Sequence, residues 1–190
     1  MKCNTQSAII NGARRCFFQH GYKSSNMTLI SQYAEFSRAT LHKHFTNKDL
    51  VFRAVCHGYQ AQCMQASQDI IKQGLSCWHA IEQIMDIWAK SAFEEVNDKL
   101  VYKDLHYYVQ QVADDIFIKA HDDLGMLIAD IFNHAIREQK ICLKKLKLNS
   151  RELAFIVISS LDGIRSRAKQ ENMKAYSHQT LNIFKHATIC

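Results

Sequence analysis

The side chains best suited to chemistry lie between residues 37 and 48, which read Ser-Arg-Ala-Thr-Leu-His-Lys-His-Phe-Thr-Asn-Lys. Arg38 carries a planar donor fork that matches O6 and N7 of guanine. Thr40 can donate, accept or touch a thymine methyl, and Ala39 offers a small apolar contact. Lys43 lies about one helical turn beyond Ala39 and Thr40, within reach of a base or a phosphate. Helical spacing puts Leu41 and Phe45 inward and leaves 38, 39, 40 and 43 outward. Those residue types in the first turn of a helix suit the edges of base pairs in a DNA major groove. Lys48 and the backbone amides behind Asn47 suit a phosphate, because a helix start attracts anions.

Such side chains need short, well-capped helices to hold them. The first helix spans about 5–20, on a stripe of Ile9, Ala13 and Phe17 with Ile10 and Cys16 beside it. Gly21 ends it and Tyr22 follows as an apolar anchor. Asn26 caps a second helix, 27–34, with Met27, Ile30 and Ala34 buried. Glu35 and Phe36 make a turn, Ser37 caps a third helix through His44, and Asn47 caps a fourth with Asp49 in its first turn. Two short helices around a tight turn form a helix-turn-helix unit. Longer helices are expected over 47–73, 77–96, 99–119 and 122–139. After a lysine-rich connector, 140–149, two more follow over 150–169, with Ser150 as cap, and from 177 to the end. Proline is absent and there are six glycines, so an all-α fold is expected.

Residues 1–53 hold eight basic side chains (Lys2, Arg14, Arg15, Lys23, Arg38, Lys43, Lys48, Arg53) and two acidic ones (Glu35, Asp49). Residues 54–190 hold sixteen of each, so the whole net charge of +6 sits in the first quarter of the chain. Basic charge confined to one end is the footprint of a polyanion-binding module on a neutral body, although a solvated basic surface has the same composition. The expected domains are 1–53, which contacts DNA, and 54–190, a helical body.

Other chemistries find less support. The seven cysteines form no Cys-x-x-Cys pair, which fits reduced thiols in a cytoplasm. Cys56 and Cys63 share a helix face but lie ~10 Å apart along it, too far for a disulfide. The ten histidines include no His-x-x-x-His pair, so no metal site and no cofactor are expected. No apolar run approaches the ~20 residues of a membrane span, so a soluble protein is expected. Neither a phosphate-binding glycine loop nor a nucleophile elbow is present, which argues against an enzyme.

Residues of about 5–55 resemble the DNA-binding domain of the TetR (tetracycline-repressor-like) family of bacterial regulators. The resemblance rests on Phe17-Phe18-Gln19-His20-Gly21-Tyr22 and on the run from Ser37 to Leu50, with no gap between Gly21 and Leu50. It implies that Asn26 and Thr28 lie near a phosphate, that Arg38, Ala39, Thr40 and Lys43 face bases, and that His42, His44 and Lys48 contact the backbone. Ser37 belongs to the same DNA-facing set. Position 42 is usually Tyr in this family and here is His. Position 35 is usually Gly, suited to positive φ, and here is Glu.

The resemblance further implies that the rest of the chain binds an effector and dimerises through its last two helices. Leu153, Val157, Ser160, Leu161, Ile164, Leu181 and Phe184 are the expected dimer surface. Trp88 and Tyr108, mid-helix aromatics with polar handles, are the candidates to line an effector pocket, although a plain core role is the commoner one for such residues. The expected function is a sequence-specific, homodimeric, ligand-responsive repressor that binds double-stranded DNA and a small apolar or aromatic effector. The alternatives are a DNA-binding protein of the same fold controlled by a protein partner, and a helical module whose basic end binds an acidic protein.

Overall fold

A computed structural model of the chain describes residues 5–90, 93 and 95–189, and of Gln170 only the backbone. Lys2, Cys3, Ala92 and Cys190 therefore lie outside the described residues. Helices dominate: α1 (Thr5–His20), α2 (Met27–Ala34), α3 (Arg38–His44), α4 (Lys48–Ile71), α5 (Cys77–Ala89), α6 (Lys99–Val112), α7 (Asp114–Arg137), α8 (Ser150–Arg167) and α9 (Gln170–Ala187). A 3-10 turn, Lys144–Leu146, precedes α8. The fold is all-α, as composition implied. No described helix is long and apolar enough to cross a membrane.

Two compact units divide the chain. One comprises residues 1–62 and 91–119, the other 63–90 and 120–190. In the first, Ile9, Phe17, Ile30, Leu41 and Phe52 form a core with Leu105 and Val109 of α6. Here α1 and α2 cross in backbone contact. A Cβ built on Gly12 would stand 2.4 Å from Ala34 Cα and 2.7 Å from Tyr33 O, so only glycine lets the helices approach this closely. Gly21 closes α1 at φ +76, and its amide donates to Phe17 O at 2.8 Å.

The second unit has its own core of Ile81, Ile84, Leu124, Ile128, Phe132, Leu153 and Val157. Asn149, rather than Ser150, is the N-cap of α8. Its side chain accepts from the Glu152 amide while Glu152 accepts from the Asn149 amide, a full capping box. Ser150 instead donates its hydroxyl to Asn133 Oδ1 at 2.7 Å.

Several helix ends differ from the sequence expectation. The chain breaks at Ala113, with φ −140, rather than near residue 120. Asp114 and Asp115 then open α7, where carboxylates complement the helix dipole. α5 stops at Ala89, and α9 starts at Gln170, several residues early.

Candidate nucleic-acid interface

Caps set the geometry of the helix-turn-helix. The Asn26 side chain accepts from the Leu29 amide at 2.9 Å and so opens α2. Ser37 Oγ accepts from the Thr40 amide at 3.0 Å and opens α3, and Asn47 Oδ1 accepts from the Leu50 amide at 2.9 Å at the start of α4. Each bond satisfies one of the amides that a helix start leaves without an internal partner.

Between α2 and α3, Glu35 occupies the left-handed region at φ 61, ψ 32, and its amide donates to the carbonyls that end α2. A glutamate thus holds the conformation that a glycine would hold without strain. Arg15 supports the same turn, donating from Nη2 to Tyr33 O at 2.8 Å.

Helix α3 is held by Leu41, fully buried, and Phe45, nearly so. That anchoring leaves Arg38, Ala39, His42, Lys43 and His44 exposed on its outer side. Thr40 is half-buried, and its hydroxyl lies 2.9 Å from that of Ser37. Arg38 Nε donates weakly to His42 Nε2 at 3.4 Å, one turn along. Four basic or imidazole groups therefore stand on one short helix with no carboxylate among them.

An open groove of ≈ 710 Å³ runs beside this helix, bounded by Asn26, Thr28, Gln32, Arg38 and Lys48. Gln32 did not figure among the sequence candidates. The signal was there, since Thr28 and Gln32 are four residues apart on the exposed face of α2. Lys48 enters the groove already engaged. Its Nζ donates to Tyr22 O at 2.9 Å and Ser25 O at 3.0 Å, and lies 4.0 Å from the centre of the Tyr22 ring. Burial holds its ammonium below the ordinary lysine range, against the opposing pull of Asp49 and Asp104. Two of its three N–H donors are thus committed to the α1–α2 turn.

That turn is fastened from α6. Asp104 Oδ2 accepts from the amides of Tyr22 at 2.5 Å and Lys23 at 3.0 Å. The Tyr22 hydroxyl donates to Asp49. Burial, with Asp49 adding to it, pushes this phenol far above its ordinary range. Tyr108 stacks on Tyr22 with ring centres 4.2 Å apart. Arg53 forms a two-pronged pair with Asp115, 2.6 Å and 2.7 Å, and donates to Val112 O at 2.7 Å.

The other sequence candidates fall as follows. Trp88 belongs to the second unit and donates to Ser67 Oγ at 3.0 Å, whereas Tyr108 belongs to the first. Leu153, Val157, Leu161 and Leu181 are buried in the second unit's own core, and Ile164 and Phe184 pack half-buried against it. Ser160 donates to Ile156 O at 2.7 Å. The apolar side chains that α8 and α9 leave most exposed are Phe155 (71 %) and Ile183 (67 %). No group of three or more His, Cys, Asp or Glu is arranged to hold a metal among the described residues.

Residues 9–55 match the family model for bacterial regulatory proteins of the tetR family. Two curated relatives align over the same region. The transcriptional repressor AcnR of Corynebacterium efficiens is 35% identical over 52 residues, 27% of this chain and 28% of its own length. The repressor Rv1474c of Mycobacterium tuberculosis is 38% identical over 47 residues, 25% of each chain. The aligned stretch thus spans little more than a quarter of these relatives.

Solved structures share the fold over the whole length. A transcriptional regulator from Cytophaga hutchinsonii superposes with a TM-score of 0.75 at 16% identity, covering 96% of this chain and 97% of its own. SmeT, repressor of the Stenotrophomonas maltophilia multidrug efflux pump SmeDEF, gives 0.68 at 14% identity, covering 100% and 92%. Residues 9–55 thus form a helix-turn-helix domain of the kind found in bacterial regulatory proteins of the tetR family.

Proposed function

We propose that the protein is a sequence-specific DNA-binding repressor that acts as a homodimer and releases DNA in response to a small effector. The observation that carries this reading is the outer face of α3. Arg38, Ala39 and Lys43 are exposed there while Leu41 and Phe45 lock the helix from behind. In this reading residues 1–53 bind DNA and 54–190 take the effector and dimerise. Arg38, Ala39, Thr40 and Lys43 face bases. Asn26, Thr28, Ser37, His42, His44, Lys48 and Gln32 follow the phosphates along the groove. Two copies are needed because one helix reads few base pairs, and a two-fold dimer sets two readers ~34–36 Å apart. Phe155 and Ile183 supply outward apolar surface for that pairing. The effector, an apolar or aromatic molecule bound in the helical body, acts by favouring the dimer state with the wrong spacing.

The test is binding to a duplex selected from a random pool, read by fluorescence anisotropy at several salt concentrations. Arg38→Ala should cost about 1–3 kcal/mol and relax selectivity at one position. Lys43→Ala should likewise cost about 1–3 kcal/mol and relax selectivity at a second position. Unchanged affinity and selectivity for both variants would overturn the assignment of α3.

A further inference from the structure

The second unit contains a cavity of ≈ 370 Å³ where the end of α4, the start of α5 and the last turns of α7 meet. Its walls are apolar, with Leu75, Ala80, Leu127 and Ile131 prominent among them. The volume suits a compact small molecule. Neither Trp88 nor Tyr108 lines it.

One stripe of α7 supplies most of the polar rim: Asp130, His134 and Glu138, spaced by four and therefore on one helix face. Glu138 is already satisfied. Lys140 Nζ lies 2.8 Å from it and His134 Nε2 lies 3.4 Å away. The Lys140 hydrogen bond holds the Glu138 carboxyl below the usual carboxylate range. Asp130 has neither an ion pair nor a hydrogen bond among the described residues. Glu138 pairs with Lys140, which leaves Asp130 as the rim carboxylate without an ion pair among the described residues. Two helix C-termini, of α4 and α7, border the cavity against one N-terminus, of α5. Helix C-termini favour cations, which adds to the same sign.

We propose that this cavity binds a small lipophilic amine, its apolar body against Leu75, Leu127 and Ile131 and its ammonium on Asp130. An anion would meet the free carboxylate, and a neutral molecule would leave it unused. The regulatory consequence rests on the repressor reading above, but the binding itself does not.

The test is calorimetric titration of the full chain, without DNA, with phenethylamine and with phenethyl alcohol, which share one carbon skeleton. The amine should bind at one site per chain and about tenfold more tightly than the alcohol, as a hydrogen bond to a charged group implies. Asp130→Asn, an exposed polar exchange, should bring the two ligands to equal affinity. Asp122→Asn removes the same charge elsewhere on α7 and should leave the preference intact. The proposal is overturned if the amine gives no saturable heat, if amine and alcohol bind alike, or if the preference survives Asp130→Asn. Because no duplex is present, such a failure leaves the DNA-binding result standing.

Discussion

Glu35 shows how one residue can hold a backbone shape it does not favour. A non-glycine residue in the left-handed region costs about 1–2 kcal/mol, and Glu35 sits there at φ 61. The bonds from its amide to Gln32 O and Ser31 O offset the strain by closing α2. Glycine would remove the strain but loses about 0.4–1 kcal/mol through greater freedom when unfolded. Glu35→Gly should therefore stabilise the protein by up to about 1 kcal/mol, seen as a higher urea midpoint with unchanged slope. A lower midpoint would mean that the glutamate side chain itself supports the turn. Asp115 offers a second test. Its hydrogen bond to Arg53 holds its carboxyl below the usual aspartate range. A group depressed in the folded state lends stability above its unfolded value, about 3.9, and loses it as pH falls through the folded value. Asp115→Asn should thus be less stable than the parent near neutrality, with the gap closing as pH falls below about 4. A gap that stayed constant down the acid limb would show that the pair contributes nothing through ionisation.

At the scale of elements, the crossing of α1 and α2 is decided by Gly12. With backbone atoms 2.4 Å and 2.7 Å from the missing Cβ, no side-chain rotation relieves a substitution. Gly12→Ala should cost about 1–3 kcal/mol or more by forcing the helices apart, measured as a fall in the thermal midpoint. A neutral result would mean that α2 can shift without loss. Helices α1 to α3 and the start of α4 were legible in the sequence because cap residues or a terminal glycine mark the junctions between them and each buries clear apolar side chains. The ends of α6 and α7 were not. The apolar periodicity runs past Ala113 without a proline or glycine to mark the break, and Asp114-Asp115 was the only local sign of a new start. The onset of α9 at Gln170 had no recognised capping signal either, since the Lys169 side chain makes no cap bond.

At the scale of the whole molecule, residues 91–119 join the N-terminal segment in one compact unit. Asp104 reaches Tyr22 across 82 residues of sequence, and Tyr108 stacks on the same ring. The proposed dimer is tested at this scale. Paired Phe155→Glu and Ile183→Glu changes on exposed positions should convert dimers to folded monomers and weaken duplex binding, read by light scattering and anisotropy. Full retention of the dimer would move the interface away from this face of α8 and α9.

The sequence by itself determined the caps of α2, α3 and α4 and the outward set of side chains on α3, because each depends on residues within a turn or two of one another, and the segregation of charge, which is a matter of composition along the chain. The resemblance also made Leu153, Val157, Leu161 and Leu181, an apolar stripe over the last two helices, part of an expected dimer surface. Only the tertiary structure decided that this stripe fills its own unit's core and leaves Phe155 and Ile183 outward. Only there, too, did Lys48 become a clamp on the carbonyls of Tyr22 and Ser25. The physical reason is common to both. A hydrophobic stripe or a lysine specifies that a partner is needed, whereas which partner it meets depends on how distant segments pack.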